Sequence, residues 1–138
     1  GDFAASAYDR ILHERLRGRP TDVDGDTARR VIAAATTLAR MTPVLHDIST
    51  GGLAVALAEI SIMSGVGMVI DGMNADILLD ETPLRFVAVC HGDKLDTSEA
   101  HVRIGTVGGS DVDFGNAGSI SVSEARAVWA NAIPRRMI

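Results

Sequence analysis

The sequence predicts an α/β (α+β) fold, a layered sandwich of helices on a mixed sheet. Three observations carry that expectation. Helix-period and strand-like segments follow one another in the order α-α-β-α-β-β-β-β-α, which favours a layered fold over an all-α or all-β one. The 138 residues amount to about one domain by length, enough for a core without disulfide or metal staples. A share of 46% hydrophobic against 22% charged residues is ordinary for a globular domain. Residues 1–138 are therefore expected to form a single domain.

The elements can be justified in turn. Residues 3–16 are helical by pattern, with Phe3, Ala7, Tyr8, Ile11 and Leu12 close to one face, and Gly18-Arg19-Pro20 ends them. A second helix is expected from Thr27 to Arg40, capped by Asp26 and striped by Val31, Ile32, Ala35, Leu38 and Ala39. Pro43 breaks it. Val44 to Ile48 is a strand candidate, and Ser49-Thr50-Gly51-Gly52 a turn. Leu53 to Ser64 is strongly helical, with Leu53, Ala56, Leu57, Ile60 and Met63 on one face. Met68 to Ile70 is a strand, and residues 71–83 are irregular. Arg85 to Cys90 is β-rich and reads as a buried strand. Val102 to Val107 is followed by a tight turn at Gly108-Gly109-Ser110-Asp111 and a hairpin partner, Val112 to Phe114. The last helix runs from Val122 to Ile133, with Ser121 and Glu124 in capping-box spacing and Trp129 anchoring it to the sheet.

Composition removes several function classes. The balance of 13 basic and 18 acidic residues gives a net charge of −5, whereas a nucleic-acid binder carries a basic surface; no nucleic-acid partner is expected. One cysteine, Cys90, excludes an internal disulfide framework and a Cys-rich zinc site; it reads as a buried small hydrophobe. No apolar run approaches the roughly 20 residues of a membrane span, and no signal peptide opens the chain. No membrane partner and a cytoplasmic setting are expected. His13, His91 and His101 lack ligand-like spacing with carboxylates, so no metal site is expected. Asp80-Glu81 near Arg85 reads as a surface ion pair.

One segment has chemical content: His46-Asp47-Ile48-Ser49-Thr50-Gly51-Gly52-Leu53. It is a strand, a two-glycine turn and a helix start. A helix N-terminus offers unpaired N–H groups and partial positive charge. Glycines let a phosphate approach without an intervening Cβ. Two readings stand. In one, the glycines permit a sharp corner, and Ser49 or Thr50 caps the helix. In the other, Asp47, Ser49, Thr50, Gly51 and Gly52 contact a phosphate or another ligand. It is neither a Walker A loop nor a dinucleotide fingerprint. His46 and Asp47 are adjacent on a strand and point to opposite faces, so they form no dyad. His46 reads as a packed or hydrogen-bonded histidine, and Asp47 either orients the glycine backbone or binds a ligand. No nucleophile–base–orienter set can be assembled, so no catalytic residue is expected.

The stretch from His46 to Glu59 resembles the "HDVSDGGLAVALAE" segment of the phosphoribosylformylglycinamidine synthase family, the synthetase subunit of purine biosynthesis. Ala5-Ser6-Ala7-Tyr8 and Gly18-Arg19-Pro20 are similar to the family's "GSEY…GxPP" lead-in, and Ile104-Gly105-Thr106-Val107 to its "IGxV" strand. Ser123 to Pro134, with Trp129, is similar to its C-terminal "L…AW…LP". The resemblance covers nearly the whole chain and corresponds to the last of the family's four domains.

What the resemblance implies is a C-terminal domain of the aminoimidazole ribonucleotide synthetase superfamily, partly ferredoxin-like. The whole enzyme would convert formylglycinamide ribonucleotide, ATP and ammonia from glutamine into formylglycinamidine ribonucleotide, ADP and phosphate. ATP and Mg2+ would serve as its cofactors. The catalytic histidine, the magnesium ligands and most ATP contacts would lie in N-terminal-type domains, so 138 residues alone would not turn over. The partners implied are those domains, a glutaminase subunit and a small accessory subunit. By the same resemblance, the glycine turn would face a structural nucleotide site. The alternatives are another enzyme of the superfamily or a free-standing, non-catalytic binding module.

Two departures from the family pattern stand out. Thr50 occupies the position of the family's aspartate, which removes a charge. The segment from His91 to His101 is too short for a crossover helix and its turns, which predicts a truncated helix or loop there and a partly uncovered sheet face.

Overall fold

The computed structural model describes residues 6–15, 18–19, 21–92 and 99–132. The chain is α+β, with helices and mixed sheet as expected. It divides into two compact units, Gly1–Ala56 with Ala75–Arg103 and Leu57–Asn74 with Ile104–Ile138.

In the first unit, α1 (Ala7–His13) starts where the Ser6 hydroxyl accepts from Asp9 N–H at 3.1 Å. It stops where Glu14 turns left-handed, at φ 51°. The helix expected over 3–16 therefore ends at His13, three residues early; residues 3–5 lie outside the described residues. Helix α2 (Gly25–Leu38) is capped by Asp24, whose carboxylate accepts from Thr27 N–H at 2.8 Å, and not by Asp26. Asp26 lies in the first turn, where its charge favours the helix N-terminus, and pairs with Arg29. The backbone and side-chain hydrogen bonds from Thr27 hold the Asp24 carboxyl below the ordinary aspartate range. Ala35 and Leu38 are the buried part of the α2 stripe, while Ile32 is exposed.

Strand β1 (Val44–Asp47) pairs antiparallel with β3 (Phe86–Val89), Val44 opposite Val89 and Asp47 opposite Phe86. The ladder runs one step further, with Ile48 N–H donating to the Arg85 carbonyl at 2.9 Å. That register brings the chain before β3 back alongside the turn after β1. Helix α3 (Gly52–Ser64) follows the turn. A single-turn helix, α4 (Ala75–Leu78), occupies part of the stretch expected to be irregular. Ile48, Leu53, Ala56, Leu78 and Val87 form much of this unit's core. Cys90, expected to be buried, is exposed at the end of β3.

The second unit holds the rest of α3, strands β2 (Met68–Ile70), β4 (Gly105–Val107), β5 (Asp111–Asp113) and β6 (Ser119–Ser121), and helix α5 (Val122–Asn131). The strand order is β4-β2-β5-β6. The expected β4–β5 hairpin does not form. Strand β2 lies between them, antiparallel to β4 and parallel to β5. The insertion needs a residue without a side chain where β2 begins. A Cβ on Gly67 would stand 2.2 Å from the Asp111 carbonyl oxygen. In its place Gly67 N–H donates to the Gly109 carbonyl and its own carbonyl accepts from Gly108 N–H, at 2.9 and 2.8 Å.

Met68, Ile70 and Val112 point to the buried face of this sheet, while Val69 on the other face is 53% exposed. A fourth strand, β6, pairs with β5 where the sequence pattern showed only the approach to a helix. Ser121 caps α5 by accepting from Glu124 N–H at 3.1 Å. Val122 and Ala125 are the buried residues of α5, and the Arg126 guanidinium donates to the Ile62 carbonyl of α3. Trp129, expected to anchor this helix, is 58% exposed. Helix α3 buries Leu57, Ile60, Ser61 and Ile62 here, while Met63 is exposed. The short segment expected between His91 and His101 falls largely on residues 93–98, outside the described residues. Among the described residues no helix is long and apolar enough to cross a membrane.

Two substitutions in this unit should have opposite effects. Gly67→Ala forces the strand apart and is expected to cost about 1–3 kcal/mol, the range for overpacking. Ser61 is fully buried and its hydroxyl has no hydrogen-bond partner among the described residues. Removing an unsatisfied polar atom relieves a desolvation cost, so Ser61→Ala is expected to be neutral or stabilising. Urea unfolding of both variants checks the pair; a tolerated Gly67→Ala beside a damaging Ser61→Ala would contradict the packing described.

Candidate functional site

The site suggested by sequence is the corner between β1 and α3, within the first unit. Gly51 and Gly52 have φ of +85° and +69°, a region L-residues rarely adopt. Close approach adds a second requirement. A Cβ on Gly51 would meet the Val55 side chain at 2.3 Å, and one on Gly52 would lie 2.7 Å from the Leu78 carbonyl oxygen. The glycines are thus demanded by the corner and by the backbone of Leu78–Leu79 packed against it.

The amide donors of both glycines are engaged. Gly52 N–H donates to the Ser49 carbonyl at 2.9 Å, closing the turn. Gly51 N–H donates to Glu81 Oε1 at 2.7 Å. The same oxygen accepts from Ala7 N–H, the first residue of α1, at 2.9 Å. One carboxylate oxygen thereby joins two segments 74 and 30 residues away from it in sequence. Charge-assisted hydrogen bonds of this kind are stronger than neutral ones.

Asp47, Ser49 and Thr50 are exposed. His46 Nδ1 lies 2.6 Å from the Asp47 carbonyl oxygen, the hydrogen-bonded histidine that was expected. It is 3.9 Å from Asp47 Oδ1, beyond hydrogen-bond range. The structure therefore brings Gly51 and Gly52 together with Glu81. Among the described residues, the side chain that holds the glycine backbone is that of Glu81, not Asp47. Sequence pattern missed Glu81 because the contact is long-range. The available signal was its position just before a strand that pairs with β1.

The loop that presents Glu81 is heavily braced. Asp80 Oδ1 accepts from Thr82 N–H and Thr82 Oγ1 at 3.0 and 2.7 Å. Arg85 donates through Nε to the Thr82 carbonyl at 3.0 Å, and through Nη2 to the Asp80 carbonyl. Arg85 Nη2 also pairs with Asp80 Oδ2 at 3.3 Å. The expected ion pair is thus Asp80–Arg85 alone, half-buried, with Glu81 turned the other way. Leu84 sits at φ +62°, a left-handed conformation costing a non-glycine residue about 1–2 kcal/mol. Such strain persists only where surrounding contacts over-determine the backbone. Burial pushes the Asp80 carboxyl up, but the Thr82 hydrogen bonds and the Arg85 charge outweigh it and hold the group below its ordinary value.

A phosphate on the Gly51 amide would have to displace Glu81 or share the donor with a carboxylate, and like charges in such a space exclude one another. The two glycine amides of the corner are thus bonded to groups of the chain itself. Among the described residues no group of three or more His, Cys, Asp or Glu could hold a metal ion.

Residues 4–109 match the family described as "AIR synthase related protein, C-terminal domain". Curated relatives share 30–34% identity with nearly the whole chain. The phosphoribosylformylglycinamidine synthase subunit PurL of Sinorhizobium fredii (strain NBRC 101917 / NGR234) is 34% identical, covering 98% of this chain and 20% of the relative. The subunit of the same name from Thermobifida fusca is 32% identical, covering 96% and 19%. That from Methanothermobacter thermautotrophicus is 30% identical, covering 99% and 21%. The chain thus spans about a fifth of the length of the relatives it matches.

The depressed Asp80 carboxyl gives a pH signature. A carboxylate held below its unfolded value of about 3.9 contributes stability that is present above that value and lost as pH falls through the folded one. Acid titration of stability below pH of about 4 should therefore be shallower for Asp80→Asn than for wild type. Identical slopes would show that the Asp80–Thr82–Arg85 brace carries no folding energy.

Proposed function

The chain belongs to the AIR synthase related protein C-terminal domain family, and from that premise we propose that it is a domain of a phosphoribosylformylglycinamidine synthase. The observation that carries this reading is a match spread over nearly the whole chain to relatives that bear one enzyme name. The same observation favours it over other enzymes of the superfamily and over a free-standing module. The activity proposed is that of the larger enzyme: ATP-dependent conversion of formylglycinamide ribonucleotide and ammonia into the formylglycinamidine. ATP and Mg2+ would be its cofactors, held by N-terminal-type domains. Those domains, a glutaminase subunit and a small accessory subunit would be its partners, in the cytoplasm.

Within that enzyme the chain's contribution is structural. Asp47, Ser49, Thr50, Gly51 and Gly52 would build the corner that launches α3. We take the two compact units together as one domain, since the family match over residues 4–109 spans the first and enters the second.

Two measurements test the reading. The 138-residue chain by itself is expected to form no amidine product from formylglycinamide ribonucleotide, ATP and ammonia. An antibody raised against it is expected to detect a polypeptide of roughly 700 residues, the size of several domains, that copurifies with synthase activity. Turnover by the chain alone, or a native product of 138 residues, would overturn the assignment.

A further inference from the structure

Helix α1 is turned the wrong way round for a helix held by apolar packing. Ile11 and Leu12, its two large aliphatic residues, are 66% and 63% exposed, while the buried side chains at its start are the polar Ser6 and Asp9. Hydrophobic burial, which supplies most of the stability of helices in folded proteins, therefore contributes little here. Several side chains of α1 engage one another instead. Ser6 Oγ accepts from Asp9 N–H at 3.1 Å, Asp9 Oδ1 lies 3.3 Å from His13 Nδ1, and the Tyr8 and His13 rings meet edge to face at 5.7 Å. A bond to the body of the unit is made at the first residue, where Ala7 N–H donates to Glu81 Oε1 at 2.9 Å. Glu81 is presented there by the Asp80–Thr82–Arg85 brace.

We infer that α1 is a strap latched by Glu81: it opens by itself, apart from global unfolding of the chain, and the Glu81 carboxylate sets how often it does. A helix of seven residues is too short to persist alone in water, so opening also melts it. The β1–β3 ladder has the burial that α1 lacks, with Ile48 and Val87 in the core, and so remains closed when the strap opens. Glu81 acts here as a positioning residue. Its Oε1 also takes Gly51 N–H, so the strap is latched to the corner from which α3 starts. The inference rests on the first unit alone and does not depend on the enzyme proposed above.

Native-state hydrogen exchange of the 138-residue chain in rising urea tests it. The reporter is Arg10 N–H, bonded within the strap to the Ser6 carbonyl at 3.1 Å. In wild type its exchange should depend on urea far less steeply than exchange in the β1–β3 ladder, because opening α1 exposes little surface. Glu81→Ala should speed exchange at Arg10 about tenfold or more and leave the ladder unchanged. Glu81→Gln keeps an acceptor without the charge and should fall between the two, which carries the comparison if the alanine variant does not fold. Leu12→Ala should leave Arg10 within about twofold of wild type, as for an ordinary surface substitution. A single urea dependence shared by Arg10 and the ladder would overturn the inference. So would Glu81 variants that exchange at Arg10 as wild type does, or a Leu12→Ala variant that loses protection there.

Discussion

The first unit is organised by one close approach: the backbone of Leu78 and Leu79 lies against Gly52 where any side chain would collide, 2.7 Å from a Cβ. Everything nearby follows from that contact. It fixes where α4 ends and so where the loop 79–85 begins. The Asp80–Thr82–Arg85 bonds then set the shape of the loop, and the loop aims Glu81 at Gly51 and Ala7. From Arg85 onward the chain zips into the β1–β3 ladder. The two glycines lose more chain entropy on folding than any other residue would. The buried Ile48, Leu53, Leu78 and Val87 offset it through hydrophobic burial, about 1.5–3 kcal/mol for each large side chain.

The second unit obeys the same kind of rule with a different outcome. Gly67 opens the space that lets β2 sit between β4 and β5. With β2 in the middle, Met68 and Ile70 align with Val112 on one face, and these are among the most buried residues of the chain. Helix α5 is held by its Ser121 cap and by Arg126 on Ile62, and buries only Val122 and Ala125. Gly51, Gly52 and Gly67 are each required by atoms packed close against them.

Local chemistry was legible in the sequence, and long-range pairing was not. Helix α3 and strand β2 were readable because an apolar helical run and a β-branched run are bounded by glycines. The Ser121 cap was readable because its partner is three residues away. Asp26 was mistaken for Asp24 because two capping residues stand two positions apart, and only the Thr27 bond separates them. The β4–β5 hairpin was a reasonable reading of Gly108-Gly109, yet a tight turn between two strands does not exclude a third strand from entering between them. Trp129 was assigned to the core by type, but its helix turns that face outward. Of the candidate site, the glycine corner was visible and its occupant was not, because Glu81 comes from 30 residues away.

The Gly51 amide is spent inside the molecule, on Glu81. Native-state hydrogen exchange at Gly51 tests that most directly. A donor bonded to a braced carboxylate exchanges only when the corner opens. Gly51 N–H should therefore be strongly protected in wild type, and Glu81→Ala should remove that protection while amides in the middle of α3 keep theirs. A Gly51 amide that exchanges in wild type as fast as an unprotected peptide would contradict a bond to Glu81.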